Sequence, residues 1–301
     1  MAAPFHDRDG WIWMNGEMVA SREAKIHVLT HGLHYASAVF EGERAYDGQV
    51  FKSAEHTARL FRSARLMGFE IPFSPQDIDG AKEDVMRRMG FDNCYLRPIA
   101  WRGSEQLSVA PGATKINVAV AAWEWGSYFA DRKKGIRMTH AQWRRPSPET
   151  APCAAKASGL YMIASLSKQA AEAAGYNDAL MLDWRGHVAE ATGANIFFVR
   201  DGVLHTPIPE GFLDGITRQT IIALARGLGL TVLERTIWLQ ELDTFQECFL
   251  TGTAAEITVV AEIGKHHFKA GVVTEKLLDA FQKAVLTKIA SSVPAKQAKA
   301  K

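Results

Sequence analysis

The composition of the chain changes abruptly near its middle. Residues 116–123 form an apolar run typical of a buried strand, and two aromatic residues, Trp125 and Tyr128, follow it. The charged stretch 131–135 comes directly afterwards. We therefore expect an interdomain loop over residues 122–134. Because aromatic side chains at such a junction commonly line a ligand cleft, the sequence points to a site between two domains.

Strand and helix patterns occur on both sides of this loop. Before it, Asn15-Gly16 and Asp47-Gly48 predict two β-hairpins, and residues 54–69 and 75–89 have the apolar spacing or capping signals of helices. After it, further helices are predicted over residues 161–174, 218–228 and 273–290. Strands are predicted between them, one of them over residues 230–237. The predicted fold class is α+β, or mixed α/β, with two domains. Their bounds are a small α+β domain over 1–121 and a large domain over 135–292, followed by a disordered basic tail over 293–301.

Charge and cysteine content exclude several classes of partner. The 301 residues include 35 basic and 33 acidic ones, and a net charge of +2 gives no long-range field for nucleic acid or anionic membrane. No apolar run reaches the length of about 18 residues expected of a membrane span. Three cysteines without CxxC spacing are typical of a reducing cytoplasm. His27, His31 and His34 lie in a predicted strand-and-loop stretch and lack the context of a metal site, so we expect packing or hydrogen-bonding roles and no metal.

Lys156 is the first candidate for chemistry. Small residues flank it, and no carboxylate lies within six positions on either side. An apolar setting favours the neutral amine, a nucleophile that can form a Schiff base with an aldehyde. A solvated lysine at a helix start explains the same local sequence. The nearby Cys153 is interpreted as a small packing residue.

Glu190 is informative only in combination with Lys156. It lies 34 positions later and precedes the turn-forming sequence Thr-Gly-Ala-Asn, which ends at Asn195. A carboxylate here would keep a pyridine nitrogen protonated, so that the ring acts as an electron sink. A cap or an exposed turn residue is the alternative.

Four other segments carry residues suited to anions. Arg59, on the helix 54–69, suits a bidentate phosphate contact or is an exposed helix arginine. Tyr95 and Arg97 share one face of a predicted strand, where they would bind a carboxylate or form a cross-strand polar pair. Gly215 precedes the helix 218–228, whose free amides would bind an anion; a capped helix start explains the same residues equally well. A second set of free amides follows Thr251 at a strand end.

Taken together, seven motifs in sequence order resemble the branched-chain amino-acid aminotransferases, which are fold-type IV enzymes that use pyridoxal phosphate. The resemblance extends from Trp13 to about Ile289. Its motifs lie at residues 33–42, 55–60, 95–98, 155–157, 190–195, 215–218 and 251–256.

The resemblance implies a role for each matching residue, with pyridoxal 5′-phosphate in the interdomain cleft. Lys156 would hold the cofactor covalently and move the substrate proton, Glu190 would pair with the pyridine nitrogen, and Tyr161 would bond the phenolic oxygen. The phosphate would be held by Arg59, Gly215, Ile216, Thr217 and Thr253. The substrate α-carboxylate would bind Tyr95 and the amides of Thr253 and Ala254. The side-chain carboxylate of glutamate would bind Arg97, and the apolar pocket would be formed by Tyr35, Phe40, Trp125, Tyr128 and Tyr161.

The implied reaction is reversible transamination of L-leucine, L-isoleucine or L-valine with 2-oxoglutarate by a cytoplasmic homodimer or hexamer. D-amino-acid transaminases, R-selective amine transaminases and aminodeoxychorismate lyase share the scaffold and stay open as alternatives, as does a non-enzymatic carrier of the cofactor. Tyr95 together with Arg97 favours the branched-chain class. Two features depart from the family pattern: Ala36 replaces the usual glycine, and the loop 103–111, which bears on substrate choice, is divergent.

Overall fold

A computed structural model describes residues 3–126 and 134–287 of the chain. The predictions for Tyr128 and for the tail 293–301 lie outside these residues. The helices of the described part are α1 (His31–Tyr35), α2 (Ser53–Leu66), α3 (Pro75–Met89), α4 (Met162–Ala173), α5 (Ile216–Gly227) and α6 (Val272–Leu286). Its strands are β1 (Trp11–Met14), β2 (Glu17–Ala20), β3 (Ala38–Phe40), β4 (Glu43–Tyr46), β5 (Gln49–Val50), β6 (Cys94–Arg102), β7 (Ile116–Glu124), β8 (Ile136–His140), β9 (Asp178–Leu182), β10 (Val188–Ala191), β11 (Asn195–Arg200), β12 (Val203–Thr206), β13 (Val232–Glu234), β14 (Glu247–Gly252), β15 (Glu256–Ile263) and β16 (His266–His267).

The first seven strands form one antiparallel sheet. Its order is β2-β1-β7-β6-β4-β5, and β3 pairs separately with β6. Helices α2 and α3 pack against this sheet, so that Leu60, Ile78 and Val85 share a buried core with Leu96 and Val118. Because side chains alternate along a strand, β6 directs Tyr95 and Arg97 away from Leu96 and this core.

The remaining strands form a nine-stranded sheet that closes on itself. The order runs from β10 through β9, β8, β15 and β14 to β11, and β10 pairs with β11 as well. Alternation places Ile196 and Phe198 in one apolar cluster and Phe197 and Phe249 in another. Helices α5 and α6 contribute to the second cluster and cover that face of the sheet.

Local sequence signals account for the elements that were predicted most closely. Ser74 and Asp77 form a reciprocal capping box at the start of α3, with Pro75 in the first helical position. Gly90 ends the helix in the left-handed conformation at φ +69°. The predicted helix over 75–89 is therefore confirmed. The hairpin at Asn15-Gly16 is also confirmed, with both turn residues at positive φ.

Other elements differ from the sequence prediction. Residues 31–35 form a short helix where we expected strand and loop. The predicted strand 230–237 is only Val232–Glu234 long, and the patterns of β8 and β15 were not recognised. Strand β7 continues past residue 121 to Glu124, and the bounds of the two domains stay a prediction. In the described part of the chain, no helix has the length and apolar character needed to span a membrane.

The two sheets meet at the segment that carries Lys156. The Phe40 amide donates to the Lys156 carbonyl at 3.1 Å, and the Lys156 amide donates to Ser63 Oγ at 3.0 Å. A second link joins Arg44 Nη1 to Glu256 Oε1 at 2.6 Å. These contacts fix a cleft between the sheets.

Candidate active site

A cavity of about 360 Å³ lies in this cleft. Nearly all of the predicted site residues line it, although they come from distant parts of the sequence. They are Phe40, Arg59, Tyr95, Arg97, Trp125, Lys156, Tyr161, Glu190, Gly215, Ile216, Thr217, Thr253 and Ala254.

Lys156 lies at the wall of the cavity and is half-buried. Its Nζ donates a hydrogen bond to the Tyr161 hydroxyl at 2.7 Å and lies 5.0 Å from the centre of the Phe40 ring. Ala155 and Ala157 on either side of it are buried. The alternative of a freely solvated lysine therefore does not fit the structure.

Glu190 lies at the end of β10 and is buried. Burial raises the pKa of its carboxyl to about 7, against the opposing effects of the positive charges on Arg145 and Lys156. Arg145 Nε lies 3.4 Å from Glu190 Oε1. A carboxyl with such a pKa can share a proton with a basic ring nitrogen near neutral pH, so the exposed-turn alternative does not fit.

Arg59 differs from its predicted geometry. Its Nε and Nη2 donate to the two carboxylate oxygens of Glu41 at 2.7 and 2.8 Å. Burial alone would raise the pKa of Glu41, but Arg59 and His56 hold it well below its ordinary range. Only Nη1 of Arg59 has no hydrogen-bond partner among the described residues. Arg59 therefore offers one donor to the cavity, and not the bidentate contact that we expected.

Backbone amides supply further donors at the same end of the cavity. Helix α5 begins at Ile216, and no side chain among the described residues caps its first amides. Ile216 and Thr217 line the cavity, as do Thr253 and Ala254 in the turn between β14 and β15. Uncapped amides at a helix start are suited to an anion such as phosphate.

Tyr95 and Arg97 line the part of the cavity beside Phe40, which we call the substrate end. Arg97 Nη2 lies 3.3 Å from the Tyr95 hydroxyl, and its guanidinium lies 4.6 Å from the centre of the Phe40 ring. The Tyr95 ring packs beside those of Trp123 and Trp125, at centroid distances of 5.0 and 4.9 Å. This end combines an apolar aromatic wall with one fixed positive charge.

Tyr35 does not line the cavity. It lies on α1 with 44% of its surface exposed, and its ring packs on His31 at 4.7 Å. His31 is buried, and its ring nitrogens lie 2.6 Å from Ser37 Oγ and 2.9 Å from the Ser108 carbonyl. His31 thus joins α1 to the loop 103–111, and the Tyr35 side chain is exposed instead of lining the pocket of its own chain. The packing role expected of His31 is confirmed.

Three polar residues near the site were not assigned a role from sequence. Glu41 holds Arg59, Arg145 lies beside Glu190, and Asn195 donates to Glu190 Oε2 at 3.2 Å. Asn195 belongs to a motif that the sequence did reveal. The sequence around Arg145 contains no signal that could have identified it.

Cys153 is buried with Sγ 3.4 Å from the Pro146 carbonyl, which confirms its packing role.

Comparison with known proteins identifies the family. The model of the amino-transferase class IV family matches residues 38–263. A probable branched-chain-amino-acid aminotransferase of Rickettsia conorii is 44% identical over 252 residues, which cover 84% of this chain and 86% of the relative. The chain belongs to this family.

Solved structures agree with the sequence comparison. The branched-chain aminotransferase of Thermoproteus uzoniensis with norvaline matches at a TM-score of 0.89 and 37% identity, covering 92% of this chain and 95% of that one. A second branched-chain amino acid aminotransferase, solved with pyridoxamine 5′-phosphate, matches at 0.89 and 41% identity, covering 92% and 94%. The Escherichia coli enzyme matches at 0.89 and 38% identity, covering 91% and 94%. The predicted fold type IV and the predicted resemblance to branched-chain aminotransferases are confirmed.

The residues of the cavity fit pyridoxal phosphate at three points. Lys156 offers an amine for an aldehyde, and Glu190 offers a buried carboxyl for a ring nitrogen. The unpartnered Arg59 Nη1 and the uncapped start of α5 offer donors for a phosphate. The donor set therefore matches an aldehyde, a basic nitrogen and a phosphate on one small molecule.

Proposed function

We propose that the enzyme transfers the amino group of L-leucine, L-isoleucine or L-valine to 2-oxoglutarate with pyridoxal phosphate as cofactor. The observation that carries the proposal is the convergence of Lys156, Glu190, the α5 amides and Arg97 on one cavity. Membership of the family supplies independent support.

In this proposal, the cofactor end of the cavity binds pyridoxal phosphate, and Lys156 moves the proton of the substrate Cα. Bound pyridoxal phosphate supplies a carbonyl carbon and an electron-withdrawing ring that stabilises charge at the substrate Cα. Lys156 Nζ, which donates to Tyr161 OH at 2.7 Å, would take the proton from Cα and return it. Glu190 would hold the ring nitrogen, while Arg59 Nη1, Ile216, Thr217 and Thr253 would hold the phosphate.

The substrate end explains how one pocket accepts two kinds of amino acid. The rings of Phe40, Trp125 and Tyr161 give an apolar wall for a branched side chain. Arg97 lies beside Phe40, and its Nε has no hydrogen-bond partner in the described part of the chain. That guanidinium would receive the side-chain carboxylate of glutamate, and Tyr95 with the Thr253 and Ala254 amides would bind the α-carboxylate.

The proposal includes a homo-oligomer that works in the cytoplasm. Exposed apolar side chains lie on α1, on the residues just before it and on the loop 103–111, to which His31 is hydrogen-bonded: Val28, Leu29, Leu33, Tyr35, Leu107 and Val109. We call this the α1 face. A surface of this kind favours self-association, which would place Tyr35 next to the cavity of the neighbouring subunit. The three cysteines are free and buried, which suits a reducing compartment.

Light scattering during gel filtration tests the α1 face. The wild type should elute as a multiple of the 33.2 kDa chain, and Val109→Glu should lower its mass. Val272→Glu, an exposed valine on α6, is the matched control and should keep the wild-type mass. A monomeric wild type, or equal dissociation by both variants, would remove this part of the proposal.

Product analysis tests the reaction. The purified enzyme, loaded with pyridoxal phosphate, is given 2-oxoglutarate and one amino donor, and glutamate and the new 2-oxo acid are quantified by mass spectrometry. L-leucine, L-isoleucine and L-valine should react, while D-alanine and (R)-1-phenylethylamine should not. Reaction with only one of the latter donors would reassign the substrate class and leave the fold assignment intact.

A further inference from the structure

Asn195 lies between the two parts of the cofactor end. It is the first residue of β11, where it pairs with Glu190 of β10 on one side and with Thr251 of β14 on the other. Its side chain is buried. It contacts the carboxylate of Glu190 as well as Leu213 and Gly215, which lead into α5. One side chain thus touches both the proposed partner of the ring nitrogen and the proposed phosphate site.

The backbone around Asn195 dictates which way its amide points. The Gly215 amide donates to Asn195 Oδ1 at 3.2 Å, and Asn195 Nδ2 donates to the Leu213 carbonyl at 3.0 Å. A flipped amide would set oxygen against the Leu213 carbonyl and nitrogen against the Gly215 amide. The NH₂ group must therefore point towards Glu190 Oε2, to which it donates at 3.2 Å. Donation to a carboxylate favours its ionised form.

The same contact explains the glycine at position 215. Its φ of −68° and ψ of 138° are open to any residue, so conformation does not demand glycine. A Cβ at this position would overlap Asn195 Oδ1. Gly215 is thus required by the close approach of the Asn195 side chain.

We infer that Asn195 is a positioning residue that couples the ionisation of Glu190 to the placement of the α5 amides. The inference rests on the proposed function, because it assigns the ring nitrogen to Glu190 and the phosphate to α5. Glu190 would be held ionised and correctly oriented only while the start of α5 is held in place. A cofactor that contacts both Glu190 and the α5 amides would then bind to groups that are already held at the correct distance from each other.

A double-variant cycle tests the steric part without any catalytic readout. Gly215→Ala should lower the melting temperature of the cofactor-free protein by several degrees and weaken pyridoxal phosphate binding about tenfold. In an Asn195→Ala background, which removes the overlapping oxygen, Gly215→Ala should add less than about a twofold loss of affinity. Asn195→Ser gives the same comparison if Asn195→Ala does not fold. Equal losses in both backgrounds would overturn the inference.

A spectroscopic measurement tests the electrostatic part. Pyridoxal phosphate labelled with ¹⁵N in the ring is bound to the holoenzyme, and the nitrogen chemical shift is followed between about pH 6 and pH 9. Arg145, Lys156 and Asp178 also act electrostatically on Glu190, and all three are unchanged in the variant. Asn195→Ala should move the resonance towards that of unprotonated pyridine, because the carboxylate loses a donor.

Thr274→Val is the matched control. It removes another buried hydrogen bond, from Thr274 Oγ1 of α6 to Glu247 Oε2 of β14 in the same sheet, and neither residue lines the cavity or lies on α5. It should leave the nitrogen resonance at the wild-type position. An unchanged resonance in Asn195→Ala, or an equal change in both variants, would reduce Asn195 to a structural role and overturn the inference. If the wild type binds no pyridoxal phosphate, the proposed function itself is wrong, which distinguishes the two failures.

Discussion

The cofactor end of the cavity, around Lys156 and Glu190, is held by side-chain partners within one chain, whereas two segments that were expected to shape the substrate end are exposed. At the cofactor end, Glu41 holds Arg59 and Asn195 holds Glu190. Tyr35, which was expected in the apolar pocket, is exposed on α1. The loop 103–111 carries Val109 with 82% of its surface exposed.

This difference suggests that the cofactor end carries out the chemical step, whereas the substrate end determines which amino acids are accepted. Arg59 and Glu190, two of the groups proposed to hold the cofactor, are buried and fixed by side-chain partners, so their geometry is set before any ligand binds. The substrate end has aromatic walls, and in the proposed oligomer a neighbouring subunit would complete it. Substitutions at the cofactor end should therefore affect every substrate alike, and those at the substrate end should discriminate between substrates.

The largest effect is expected at the cofactor end. Lys156→Ala should lower turnover about a thousandfold or more with every amino donor, because the group that moves the substrate proton is lost. Circular dichroism should show an unchanged fold, and Lys276→Ala on the exposed side of α6 should retain full activity. Partial recovery with added methylamine would support a missing amine. Near-normal turnover by Lys156→Ala would contradict the mechanism.

A selective effect is expected at the substrate end. Arg97→Ala should reduce kcat/KM for glutamate and 2-oxoglutarate by about 10- to 100-fold, the value of a lost charge-assisted hydrogen bond. Leucine, whose side chain has no carboxylate, should lose far less. Arg137→Ala, at an exposed arginine outside the cavity, serves as control. An equal loss for glutamate and leucine would show that Arg97 does not bind the side-chain carboxylate of glutamate.

A pH effect on stability is expected from Glu190. Its pKa is raised from 4.5 to about 7 in the folded protein, so the folded state holds this proton more tightly than the unfolded chain does. The resulting stability is present below about pH 4.5 and is lost as the pH rises through about 7. In cofactor-free protein at pH 8, Glu190→Gln should therefore raise the free energy of unfolding by about 2 kcal/mol.

Urea denaturation at pH 5 and pH 8 measures this difference. The gain should nearly vanish at pH 5, and Glu275→Gln, an exposed residue of α6, should show no gain at either pH. A Glu190→Gln variant that is less stable than the wild type at pH 8 would contradict the account of the buried carboxyl.

The smallest effect is expected at Ala36, which replaces the glycine that is usual in the family. This residue ends α1 at φ +54°, in the left-handed region that disfavours alanine. Ala36→Gly should raise the free energy of unfolding by about 1 kcal/mol. Ala174→Gly, at a helix end with φ −88°, should instead lower it. A destabilised Ala36→Gly variant would show that the methyl group packs usefully, for example against Gly159.

The sequence predicted those parts of the molecule whose signals are local. The start of α3 follows from Ser74, Pro75 and Asp77, which lie within one turn. Lys156 and Glu190 were found because their motifs occur in a recognisable order. The two sides of β6 also followed from alternation alone.

Contacts that depend on sheet register were missed. The bond from Asn195 to Glu190 requires the pairing of β10 with β11, and Arg145 reaches Glu190 only after the larger sheet has closed. Arg59 was assigned to phosphate without its partner, since nothing in the motif indicates that Glu41 occupies two of its donors. The outward position of Tyr35 likewise depends on how His31 packs against a distant loop.

The half-reaction followed by visible absorption tests the central claim most directly. The purified enzyme with bound pyridoxal phosphate is titrated first with L-leucine alone and then with 2-oxoglutarate, and a parallel sample receives D-alanine. We predict that L-leucine abolishes the visible band of the bound cofactor, that 2-oxoglutarate restores it, and that D-alanine leaves it unchanged. A band that only D-alanine removes would contradict the substrate assignment, and the absence of any band with added pyridoxal phosphate would contradict the cofactor site.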